Sequence, residues 1–319
     1  MSACSEFIQY ALVFEQAAAS DQWSLLEPLF ADDALHVVHD GGPFAGADRG
    51  AAAVVAGLRR VVLGIDRRFD ARIPEIIEGP EVRGEGIWMR FRLRLRRAGL
   101  PDFVVDGEHL TVHRGGKIVE FHETLAPGHG ERATAYLQQH DAALHPAGSP
   151  YRAPSCARDL KDIETAVRGI FVRCYGMAKG NGDIAAALSI CHPDFGIDAV
   201  PFRMASRNRN ETAQQLGLFF HAFPDFRPTL DGLVADTSGA ACWGTVRMTH
   251  GGDFLGIPAS GKTANLPFFS AFEFKGGLLL RERFFIDLAM LCGQTGLPLQ
   301  QVLPVLEMLS AQTAAAAAA

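Results

Sequence analysis

The chain has 319 residues, 48% of them apolar and 21% charged, which excludes disordered and collagenous chains and supplies apolar side chains for two cores. It has no run of about 18 apolar residues, so no membrane-spanning helix is expected. The formal charge is −6, and residues 1–145 carry all of it with 15 basic against 21 acidic side chains, which argues against a nucleic-acid partner.

The first residues, Met1 to Glu6, lack the basic and apolar regions of a secretory leader. Apolar residues at helical spacing over 7–19 predict a helix, and 21–30 continues it after a break at Ser20-Asp21. Asp21 is a candidate N-cap. A strand over 35–39 and a helix over 50–63 follow, and after them only strands: 69–77, 86–96, 103–113 and 117–125. A segment rich in Pro, Gly and Ser, 146–155, reads as a linker. The order then repeats. Residues 163–178 are helical, Asn181-Gly182-Asp183 breaks the helix, and 184–191 resumes it with Asp183 as a candidate N-cap. A strand over 195–199, a helix over 210–223 and strands over 227–235, 240–248, 265–274 and 278–286 complete the second copy. Gly115-Gly116 and Gly276-Gly277 mark hairpin turns at matching places, and Trp88 and Trp243 match as well. One order written twice predicts a tandem duplication: a domain over 1–145, a linker over 146–158, a domain over 159–310 and an alanine-rich tail over 311–319. The six cysteines (Cys4, Cys156, Cys174, Cys191, Cys242, Cys292) form no CxxC pair, which favours a reducing, cytoplasmic setting over a disulfide scaffold.

The second copy contains Phe223-Pro224-Asp225-Phe226, then a run from Thr249-His250-Gly251-Gly252 to Ser260-Gly261-Lys262, and closes on Phe284-Phe285-Ile286-Asp287-Leu288. These segments resemble the SnoaL-like polyketide cyclase branch of the NTF2-like superfamily, with its "GTHxGxFxGIPPTGK" turn and closing "FDL". The first copy resembles the superfamily through element order and Gly115–Glu123 but has no such turn. The resemblance implies an α+β chain of two tandem cone-shaped domains, each a curved antiparallel sheet wrapped around helices. It implies proton-transfer chemistry in an enclosed pocket, without cofactor or metal, on a small apolar carbonyl compound.

Such chemistry needs a base to remove a proton next to a carbonyl and a donor to hold the enolate oxygen. Candidates in the second copy are His250 at the start of the turn, Asp287 after the last strand, and Glu282 on the strand face shared with Phe284 and Ile286. His221 and Asp225 are further acid/base candidates there. In the first copy His36 and Asp40 share one strand face, as do Glu120 and His122, so Asp40 and His122 are acid/base candidates. Trp88, Trp243, His36, His109, Phe268 and Phe285 are candidates for substrate contacts. The alternation Arg90, Arg92, Arg94, Arg96 against Met89, Phe91, Leu93, Leu95 predicts a half-buried strand. Its arginines would meet acids across an interface between the two copies, as in an intramolecular pseudo-dimer, or bind an anionic ligand, with a homodimer also open. Three functional classes remain open: a cyclase- or isomerase-like enzyme, a non-catalytic ligand-binding or protein-interaction domain, and an epoxide-hydrolase-like activation of water drawing on Arg247 and Asp287.

Overall fold

The computed structural model describes residues 2–40 and 42–318, with side chains described through residue 308; Ala319 at the end of the alanine tail lies outside them. Contacts divide the chain into two compact units, 1–173 and 174–319, the division falling inside one helix. No helix among the described residues is long and apolar enough to cross a membrane.

Unit 1 opens with α1 (Ala3–Ser20), started by the Ser2 side chain, which accepts from the Ser5 N–H. Its inner side buries Phe7, Ile8, Tyr10 and Ala17. Asp21 does not start the next helix. It ends α1 in the left-handed conformation, φ 60°, and its carboxylate accepts from Arg67 at 2.9 Å and from the Trp23 indole at 3.1 Å. Residues 21–30 then form two short 3-10 turns, the second opened by Pro28, instead of a continued α-helix. There follow β1 (Phe30–His39), β2 (Gly46–Arg49), α2 (Ala51–Gly64), β3 (Ala71–Arg83), β4 (Gly86–Arg96), β5 (Phe103–Arg114), β6 (Lys117–Leu125) and α3 (His129–His140). The strands make one sheet in the order β2-β1-β6-β5-β4-β3. The pairings are antiparallel except β1 with β6, so the sheet is mixed and not wholly antiparallel. The hairpins of β3 to β6 alternate in direction, whereas β1 reaches the last strand only through the helical crossover and runs alongside it.

Tyr10, Trp23, Leu26, Phe30, Val54, Leu58 and Phe121 form one core between α1, α2 and the sheet. Leu95, Phe103, Val105, Leu125 and Ala133 form another beneath α3. On the opposite face of β4 three of the four arginines find their acids within the same sheet, and the fourth, Arg96, finds them outside it. Arg90 pairs with Glu78 at 3.1 Å and Arg92 with Asp106 at 2.7 Å, because the strand register sets those residues opposite one another. Arg94 takes Glu75. Arg96, nearly buried, is shared by Asp102, Asp159 and Asp162 at 3.1, 2.7 and 2.8 Å.

The second sheet repeats the plan. After α4 (Ala157–Gly180), which crosses the division at 173, come α5 (Ile184–Ser189), β7 (Cys191–Ala199), β8 (Met204–Ala205), α6 (Arg209–Ala222), β9 (Arg227–Ala235), β10 (Ala240–Thr249), β11 (Thr263–Lys275), β12 (Leu278–Ile286), α7 (Leu288–Thr295) and α8 (Leu299–Ala318). Asp183 caps α5 by accepting from the Ala186 N–H. The order is β8-β7-β12-β11-β10-β9, again with one parallel pair, β7 with β12. Both hairpin turns use glycines at positive φ, 61° and 84° at Gly115-Gly116 and 58° and 80° at Gly276-Gly277. The architecture is therefore α+β, two tandem units of one plan.

In unit 1, His113 and Glu6 lie 3.1 Å apart and both are buried. Burial disfavours the charged form of each, pushing the His113 imidazole down to about 4 and the Glu6 carboxyl up. The unfolded chain binds a proton at His113 near pH 6.5, the folded chain only near pH 4. This contribution to stability is complete above pH 6.5 and lost as pH falls to 4, roughly 3 kcal/mol in all, with Glu6 opposing it in part. Chemical denaturation at pH 7 and pH 4 is expected to show a smaller acid loss for His113→Leu than for the parent chain.

Candidate functional site

Glu282 lies on the helix-covered face of β12, and it is only 2% exposed. Four contacts satisfy its carboxylate. Lys179 Nζ donates to Oε1 at 2.9 Å and to Oε2 at 2.8 Å, the Tyr175 hydroxyl donates to Oε2 at 2.8 Å, and the Ser270 hydroxyl donates to Oε1 at 3.0 Å. Tyr175 and Lys179 reach one acceptor because residues four apart share a helix face. The ammonium also lies 4.8 Å from the centre of the Phe284 ring. Burial, then the neighbouring Glu282 charge, pushes the Tyr175 hydroxyl well above its ordinary value, so it remains a donor. An ammonium has three donors and Glu282 takes two, which leaves one for a ligand.

Lys179 stands on the wall of a cavity of about 400 Å³. Its lining is chiefly apolar, with Ile197, Phe202, Phe219, Phe226, Phe254 and Phe284 prominent. The other polar side chains are Gln215, His221 and Asp253. Gln215 Oε1 is buried without a hydrogen-bond partner, an acceptor free for a ligand's donor. His221 and Asp253 are exposed at the mouth. They come together because the Gly251 and Gly252 N–H groups both donate to the Ala222 carbonyl at the end of α6. A Cβ on Gly252 would lie 2.0 Å from the His221 carbonyl oxygen, so only glycine allows this approach.

Asp225 and His250 hold that loop. The Asp225 carboxylate accepts from the Thr249 N–H, from its hydroxyl at 2.7 Å and from Arg247 at 2.9 Å. Burial opposes ionisation there, but these donors outweigh it and hold the carboxyl below its usual range. His250 is fully buried; its Nδ1 accepts from the Ser260 N–H at 3.2 Å, and burial pushes the imidazole down. His250 therefore shapes the loop and is not among the residues lining the cavity.

The remaining candidates fall in different places. Asp287 caps α7, accepting from the Met290 N–H at 2.9 Å, and is not in the cavity wall; Arg247, bound to Asp225, is not joined to it. Phe268 is buried on the helix-covered face, 6.3 Å from Phe284. Trp243 and Phe285 are 41% and 36% exposed on the opposite face, since odd-numbered residues of β10, and of β12 from Arg281 on, point away from the core. Trp88 likewise turns from the helix-covered face, beneath Arg83, and donates to Glu108 at 3.0 Å. His122 and Glu120 pair at 3.0 Å, as their shared face predicts, but they do so on the outer side. Asp40 lies past the end of β1 at φ 58°, on the rim of an open surface groove, and does not meet His36. His36 and His109 are brought together, each beside Glu123.

Sequence reasoning missed Lys179 and Gln215. A lysine directly after the run Cys174-Tyr175-Gly176-Met177-Ala178, four residues after a tyrosine, was the available signal; the free Gln215 oxygen had none.

No curated protein matches the chain. Residues 168–295 match the family model described as SnoaL-like polyketide cyclase. Among solved structures, AclR from Streptomyces galilaeus is 20% identical, the alignment covering 42% of this chain and 99% of that one with a TM-score of 0.37. TsrD from Streptomyces laurentii is 24% identical over 41% of this chain and 96% of its own, with a TM-score of 0.37. A protein with a ketosteroid isomerase-like fold from Catenulispora acidiphila DSM 44928, in complex with trimethylamine, is 11% identical over 40% and 93%, with a TM-score of 0.36. The matched segment takes in α6, the turn after β10 and the closing strand β12, so the likeness to the SnoaL-like polyketide cyclase family lies in the second unit.

Proposed function

We propose that the cavity of unit 2 is an acid/base site of the cyclase or isomerase type, acting on a small apolar carbonyl compound. The observation that carries this reading is the Lys179 ammonium, fixed by Glu282 on the wall of an otherwise apolar cavity. An apolar lining selects an apolar substrate and removes water, which strengthens a charge–oxygen contact. The substrate carbonyl oxygen accepts from Lys179, which is held before reaction begins. His221 or Asp253 at the mouth takes the proton from the adjacent carbon. The electron pair moves onto the carbonyl oxygen, and the ammonium stabilises the enolate. Return of the proton at another carbon completes an isomerisation; attack of the enolate carbon on a second carbonyl, whose oxygen then takes the proton, closes a ring. Gln215 Oε1 accepts from a substrate hydroxyl, favouring hydroxylated over deoxy compounds.

Deuterium uptake from D₂O at the α-carbon of apolar cyclic ketones, followed by NMR, tests the proton transfer. Lys179→Met is expected to lower the rate by about a hundredfold or more. Exchange that persists unchanged in Lys179→Met and in His221→Ala/Asp253→Asn overturns the assignment, and tight binding of the ketones without exchange favours a ligand carrier.

Lys179→Met also strands a buried carboxylate. It is expected to destabilise unit 2 by about 3–5 kcal/mol in urea unfolding, with much of that recovered when Glu282→Gln is added. Equal stability of the single and double variants would show that the pair is not coupled.

A further inference from the structure

Three strands of unit 1, β1, β5 and β6, match β7, β11 and β12 of unit 2 at one offset of 161. His36 stands opposite Phe121 as Ile197 stands opposite Glu282. His109 stands opposite Glu123 as Ser270 stands opposite Phe284. In unit 2, Ile197 and Phe284 line the ligand cavity. The matching places of unit 1 hold His36 and Glu123, an imidazole and a carboxylate where unit 2 has hydrocarbon.

These groups form a cluster. His36 Nε2 lies 3.4 Å from Glu123 Oε1, and His109 Nε2 lies 3.7 Å from Glu123 Oε2, so one carboxylate stands between two imidazoles. Phe121 packs against both rings at 5.0 and 5.1 Å, and Phe91 lies 4.2 Å from His109. His36 is closed off, but His109 and Glu123 keep 19% and 20% of their side-chain surface open. Other charged and titratable groups line the same interior. Asp48 on β2 is 3.9 Å from His36 Nδ1; Tyr10 on α1 stacks edge-on against Phe121 at 5.6 Å; Arg72 on β3 bonds Asp66 at 2.9 Å and Glu15 on α1 at 2.6 Å. Burial alone would raise the Glu123 carboxyl, but the charges and hydrogen bonds of His109 and His36 hold it far below its usual range. The fold does not demand ionisable groups here, since the same lattice closes around Ile197 and Phe284, and burying such groups costs stability.

We propose that unit 1 holds a second acid/base site, where His109 exchanges a proton with a small carbonyl or hydroxyl compound more polar than the substrate of unit 2. His36 Nε2 hydrogen-bonds one oxygen of Glu123 and His109 turns its Nε2 toward the other at 3.7 Å, so in this arrangement His109 Nδ1 is the proton acceptor. The substrate proton passes to His109 Nδ1, and the imidazolium so formed stands beside the Glu123 carboxylate. His109 is the catalytic residue and Glu123 a positioning residue. This site does not rest on the reading of unit 2.

The probe is 5-nitrobenzisoxazole, offered to the full chain. A base takes the ring C–H proton, that electron pair completes a nitrile, the N–O bond breaks, and a coloured phenolate leaves. In the parent chain the rate is expected to rise with pH as the base loses its proton. His109→Asn and Glu123→Gln should each lower it about tenfold or more at pH 7. Glu123→Gln should also move the acidic limb of the profile to lower pH, because a carboxylate stabilises the neighbouring imidazolium; a purely structural role would not shift that limb. Should Glu123→Gln unfold unit 1, His109→Asn and the parent profile decide the matter. The proposal is overturned if neither variant changes the rate or its profile, or if His221→Ala removes the rate and His109→Asn does not. The latter result would assign the chemistry to unit 2.

Discussion

A lysine and a glutamate buried together in hydrocarbon set the conditions for unit 2. Neither charge could stay there alone, and each makes the other tolerable only because Tyr175 and Ser270 supply further hydrogen bonds. The requirement reaches outward. α4 must present Tyr175 and Lys179 on one side, β12 must turn Glu282 inward, and Ser270 must sit on the next strand. Phe284 and Phe226 are then fixed as neighbours of the ammonium, and the cavity takes its shape around them. A charged group that cannot move is also one that loses nothing by reorganising when a substrate oxygen arrives.

The mouth of the cavity obeys a different constraint, that of backbone approach. The loop after β10 lies against the end of α6 so closely that glycine is required at 252, and Asp225 and His250 tie its two ends. The family motif is therefore mostly architectural. Its histidine and aspartate position the loop, and the loop positions Asp253 beside His221. Apart from Asp253, the polar side chains of the cavity wall, Lys179, Gln215 and His221, come from α4 and α6, outside the most recognisable segment.

Much of the plan was legible in the chain. The two glycine pairs, the alternation of β4 and the break before Asp183 each report a local preference, and local preferences survive folding. Alternation says which residues share a face but not which face is covered. For that reason Trp243, Phe285 and His122 were grouped soundly with their neighbours and yet point away from the cores, while Trp88, on the arginine face of β4, is buried there. The decisive contacts are long-range: Lys179 and Glu282 are 103 residues apart, and His36 and Glu123 are 87 apart. Glu123 gains its partners from register, a property of three strands at once, which periodicity along one strand does not carry.

The parallel pairing of the first and last long strands in each unit has a consequence for divergence. Its ladder is made of main-chain groups, which are identical whatever side chains project between them. Interior positions can then be rewritten from hydrocarbon to imidazole and carboxylate while the scaffold beneath remains in register. Within a single polypeptide, one copy can retain an inherited reaction and leave the other at liberty to acquire a different appetite.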